Sequence, residues 1–72
     1  MKDKDELIKN YYAVNDALID EVEVLKHLLS TELISSINLL GFHYKIKDLL
    51  FKRNQISNEL LLNYDLIIID EF

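Results

Sequence analysis

Residues 7–29, LIKNYYAVNDALIDEVEVLKHLL, decide the fold. Within them Leu7, Tyr11, Val14, Leu18, Val22, Leu25 and Leu29 recur every three or four positions. That spacing keeps apolar side chains on one face of an α-helix and fits no strand, where the repeat is two. Just upstream, Asp3 or Asp5 can cap the first turn, and the carboxylates there suit the positive end of the helix dipole.

The far end of this helix is less sharply marked. Ser30 and Thr31 interrupt it with hydroxyls that compete for backbone hydrogen bonds and serve well as caps of a new helix. The apolar stripe nevertheless continues in phase through Leu33, Ile37 and Leu40. Proline is absent and Gly41 is the single glycine, so the strongest turn signal in the chain is Gly41, followed by Phe42 and His43. Beyond it Ile46, Leu49, Ile56, Leu60, Tyr64 and Ile67 resume helical spacing, with Arg53 as the polar member of the series. Good helix formers such as Lys45, Lys47, Leu50 and Lys52 agree. The expected fold is therefore all-α: a small antiparallel helical hairpin or three-helix bundle over a single domain, residues 1–72, with the main turn at Gly41 and a second candidate break at Ser30. The run Asp65-Leu66-Ile67-Ile68-Ile69-Asp70 is read as a frayed helix end.

Composition narrows the function. Leucine and isoleucine fill 23 of 72 positions, yet a chain this short buries only about 60% of the surface that its unfolded form exposes. Cysteine is absent, which removes disulfides and thiolate metal sites; the remaining staple is association with itself or with another protein. A net charge of −5 opposes binding to nucleic acid and to anionic lipid. No apolar run approaches the roughly 20 residues that span a bilayer, and the first residues are charged. A cytoplasmic protein without a membrane segment is expected.

Motifs were weighed against ordinary packing. Leu66-Ile67-Ile68-Ile69-Asp70-Glu71 resembles the Walker B strand of P-loop ATPases, but one glycine cannot build the phosphate cradle that such enzymes also require. Ser57-Asn58-Glu59-Leu60 resembles part of the Ser-Gln-Glu-Leu-Asp motif of small helical aspartyl-phosphate phosphatases; the motif aspartate falls on Leu61, so no catalytic residue carries over. A helix-turn-helix reading places Leu33–Leu40 before a turn at Gly41 and puts Tyr44, Lys45, Lys47, Lys52 and Arg53 on a recognition helix. Glu23 and His27 lie one turn apart, two ligands where a metal site needs more. No spacing brings serine, histidine and carboxylate together for nucleophilic catalysis. No cofactor, metal or catalytic group is expected.

What remains is apolar surface. Between Leu60 and Ile69 the polar residues are Asn63 and Asp65, more grease than one antiparallel neighbour can cover. The expected function is a non-enzymatic regulatory or inhibitory module that binds another protein, itself or both, like the anti-repressors, antitoxins and host-enzyme inhibitors of phages and mobile elements. Leu61, Leu62, Ile67, Ile68 and Phe72 are the expected apolar contacts, with Asp20, Glu21 and Glu23 as an acidic rim. The alternative is a DNA-binding regulator using the basic segment 44–53.

Overall fold

The computed structural model describes residues 3–31 and 35–68. Two long helices, α1 (Lys4–Ser30) and α2 (Ser36–Tyr64), make up the described residues, which include no strand. Leu33, read above as part of the first stripe, and Phe72, read as a contact, lie outside them.

Local chemistry sets each helix end. The Asp3 carboxylate accepts from the Glu6 N–H at 2.8 Å, and Asp5 and Glu6 occupy the first turn, where negative charge is favourable. At the other end of α1, the Ser30 hydroxyl donates to the His27 carbonyl at 2.7 Å, and the Thr31 hydroxyl donates to the carbonyls of His27 and Leu28 at 3.2 and 3.1 Å. The His27 carbonyl also accepts from the Thr31 N–H at 3.2 Å, so the hydroxyls add to its backbone bond and give the Leu28 carbonyl a partner at the helix end. Ser35 then caps α2, its hydroxyl accepting from the Asn38 N–H at 3.2 Å.

The main turn therefore joins Ser30 to Ser36, and the expectation of a turn at Gly41 is corrected. Gly41 sits inside α2. Its φ is not positive, and a Cβ added there would meet nothing within 4 Å, so neither of the demands that reserve a turn for glycine applies. Glycine in a helix costs only about 1 kcal/mol relative to alanine. The serine and threonine caps on either side of 32–34, and the apolar face that follows, outweigh it. Phe42 and His43 are likewise helical, not a connection.

Two cross-helix contacts fix direction and register. Lys45 Nζ lies 3.1 Å from Glu21 Oε2, and Arg53 donates to Asn15 Oδ1 at 2.9 Å. Each step forward on α2 is a step back on α1, so the helices are antiparallel. Inward positions on α1 are Leu7, Tyr11, Val14, Leu18, Glu21, Leu25 and Leu28; on α2 they are Phe42, Ile46, Leu49, Arg53, Ile56, Leu60 and Tyr64. These steps average 3.5 residues on α1 and about 3.7 on α2, each the spacing of a single helix face. Here the predicted stripe needs a second correction. Val22 and Leu29 are 43% and 50% exposed, and Glu21 and Leu28 take their places, because a 3.5-residue seam lags the 3.6-residue pattern by one position after three heptads.

Burial is uneven. Leu7, Tyr11, Leu18 and Leu60 form the buried core, three of them at the end where α1 begins and α2 finishes. That end is closed by the chain after α2. Asp65 adopts a left-handed conformation, φ 52° and ψ 37°, which stops the helix; its N–H donates to the Leu61 carbonyl and the Leu66 N–H to the Leu60 carbonyl, at 3.1 and 3.2 Å. The frayed-helix expectation for 65–68 is thereby corrected. Leu66 and Ile68 are half-buried and Ile67 is exposed, the alternation of extended backbone. Leu66–Ile68 lie beside Ile8 and Tyr12, with which they line a hollow of about 370 Å³. Principal extents of 44 × 20 × 15 Å describe a single layer of two helices.

Candidate docking surfaces

One layer of helices leaves much of its apolar surface in solvent along its length, Ile19, Val24 and Phe51 included, and two stretches of it form patches. The first is the tail end. Leu62 is 82% exposed, Ile67 70% and Leu61 43%, directly beside the most buried side chain, Leu60 at 0%. Their exposure follows from position: Leu60 points at α1, and each further residue turns the side chain by about 100°, so Leu61 and Leu62 face away. Ile68, expected as a contact, is half-buried instead.

The second place is the loop half. Leu25 of α1 and Ser36, Leu39, Leu40, His43, Ile46, Lys47 and Leu50 of α2 line a groove of about 630 Å³. On α2 these positions recur every three or four residues, a strip beside the one facing α1. The strip continues toward the tail as Asn54, Ser57 and Asn58. Its apolar part thus ends near Leu50. Sequence reading missed this groove because a turn at Gly41 divides the strip; with α2 starting at Ser36, the recurrence is visible in the sequence itself.

The expected acidic rim does not border the expected apolar contacts. Asp20, Glu21 and Glu23 lie on the loop half of α1, where Glu21, half-buried, is engaged by Lys45. Leu61 and Leu62 lie near the start of α1, about 14 residues or roughly 20 Å away along the helix. The basic segment is also divided. Lys45 pairs with Glu21, Lys52 pairs with Asp48 at 3.0 Å, Arg53 is drawn into the helix seam by Asn15, Lys47 borders the groove, and Tyr44 is exposed. The turn that a helix-turn-helix needs at Gly41 is continuous helix. Among the described residues no three histidine, aspartate or glutamate side chains gather as metal ligands, so Glu23 and His27 gain no third partner. No helix among them is long and apolar enough to cross a membrane.

Fold and surface define a class: an antiparallel two-helix hairpin with apolar patches at both ends. Comparison with protein-family models, curated proteins and solved structures finds no match.

Proposed function

We propose that the chain is a non-enzymatic binding module that regulates or inhibits a target protein by covering part of its surface with the tail end of the hairpin. The observation that supports this reading is the exposure of Leu62 and Ile67 beside the fully buried Leu60. The helix stop at Asp65 and the buried Leu60, Leu7 and Tyr11 hold the patch in place. Apolar anchors held by surrounding structure lose little conformational freedom on binding, which is where interface residues gain affinity.

The test is capture of a partner from extracts of the native host on immobilised protein, repeated with Leu62→Lys combined with Ile67→Lys. Both side chains are largely in solvent, so helicity by circular dichroism should stay within about a tenth of the parent value, while partner recovery should fall at least tenfold. Unchanged recovery with the double variant would remove the tail end from the interface. Loss of helicity would show these residues to be packing rather than contact residues.

A further inference from the structure

The loop-half groove has no established occupant, and three observations narrow what fits it. The first is area. The chain exposes 5649 Å², whereas a compact monomer of 8.5 kDa exposes about 4,700 Å². The excess, about 1,000 Å², is spread over the whole hairpin, tail patch included, and is large enough to contain a face of the roughly 800 Å² that each partner contributes to a standard protein interface.

The second is reach. Ile68 lies beside Ile8 and Tyr12, while the groove is centred near Leu25, some 13 residues and about 20 Å further along α1. The described tail, through Ile68, therefore lies at the other end of the hairpin from the groove.

The third is charge. Helix α1 carries Asp5, Glu6, Asp16, Asp20, Glu21 and Glu23 against Lys4, Lys9 and Lys26, a net of −3. Helix α2 carries Lys45, Lys47, Lys52 and Arg53 against Asp48 and Glu59, a net of +2. These signs already draw α1 to α2 within the hairpin, where Lys45 meets Glu21, and in a second copy they favour α1 against α2 over like against like.

We propose that the groove is a dimer interface in which a second copy, related by a two-fold axis parallel to the helices, lays its own groove on this one and closes an antiparallel four-helix bundle. This axis sets α1 against the partner's α2, and it superposes the apolar parts of the two strips because both loops lie at the same end. The alternative two-fold, perpendicular to the helices, stacks like on like and brings the grooves together only by sliding the hairpins apart. In the dimer Leu39, Leu40, Ile46 and Leu50 fill the shared core, with Lys47 at its edge. Asn54 and Asn58 mark where the bundle opens toward the tail ends. The proposal does not depend on the tail-end reading and leaves Leu62 and Ile67 uncovered, so a dimer presents that patch twice.

Sedimentation equilibrium from low micromolar to millimolar concentration should give twice the chain mass at the upper end. Leu40→Lys, at a half-exposed position, should weaken association at least about 100-fold by placing a charge in the apolar centre twice per dimer; Leu62→Lys should leave it unchanged. A spin label on Lys9→Cys, exposed and far from the groove, reads the arrangement without touching the interface. Labels within about 30 Å support loops at the same end, while the slid alternative separates them by about 50 Å. A chain that stays monomeric at millimolar concentration overturns the proposal and leaves the groove to a different protein. Association lost with Leu62→Lys but kept with Leu40→Lys, or labels at the longer distance, overturns it as well.

Discussion

In the tail half of the hairpin Leu7, Tyr11 and Leu60 are buried, and the extended Leu66–Ile68 lies beside Ile8 and Tyr12. In the loop half, Leu25 and Leu28 face Phe42 and Ile46 across the same seam with the same spacing, and each stays half-exposed. Residue types do not separate the two halves. A third element contributes: two helices in one layer shield a seam from two sides, enough to bury Leu18 near its middle but not the loop-half seam. The tail adds cover at the other end, and among the described residues nothing supplies it at the loop end.

The sharpest way to break this contrast is to delete equal volumes from both ends. Leu60→Ala should cost about 2–5 kcal/mol, the usual range for a buried leucine that leaves a cavity. Leu40→Ala, measured by urea unfolding at a concentration where the chain is monomeric, should cost less than about 1 kcal/mol. Equal losses would mean that the halves are packed alike. The cover itself can be tested next. Ile68→Ala, at a half-buried position against α1, should cost about 1–2 kcal/mol in thermal or chemical unfolding, while Ile67→Ala should lie within about 0.5 kcal/mol of the parent. A reversed order would put the tail in the opposite face-to-face register.

Much of this architecture was legible in the sequence. Spacing from Leu7 to Leu18 and from Ile46 to Leu60 marked both helices and most inward residues, because a long amphipathic pattern has few alternatives. The turn was legible only as the lesser of two candidates, since α1 does end at Ser30. Gly41 is a strong punctuator by type but carries no conformational demand at its position, whereas the caps that matter, Thr31 and Ser35, are common residues whose role depends on which backbone groups they reach. Val22 and Leu29 were placed inward because 3.6 and 3.5 residues per turn diverge only after several turns. The groove depends on the first of these errors being put right, since its strip spans Gly41. Asp65 offered a faint signal, aspartate being one of the few residues other than glycine that tolerates the left-handed region. Whether Asp20 and Glu23 share a face with Leu62 is a matter of register, which spacing alone does not give.

Smaller effects refine the loop half. Gly41→Ala should stabilise the chain by about 1 kcal/mol, because the added methyl meets open space and the helix gains propensity; a turn glycine would respond with a loss. Ser35→Ala should cost about 1 kcal/mol by leaving the Asn38 N–H without its acceptor. At the tail end, Asp65→Gly should raise stability by at most about 1 kcal/mol by relieving the left-handed backbone. Thermal unfolding of the three variants at one fixed concentration compares them directly.

The unequal completion of the two ends is tested most directly by residue-resolved amide hydrogen exchange followed as a function of protein concentration. Amides of α2 from Leu39 to Leu50, and those of α1 around Leu25, should gain protection as concentration rises, while amides around Leu7–Leu18 and Ile56–Leu60 should be protected already in dilute solution and change little. Protection that is uniform along both helices at low concentration, or that rises with concentration at the tail end instead, would contradict a hairpin finished at one end and open at the other.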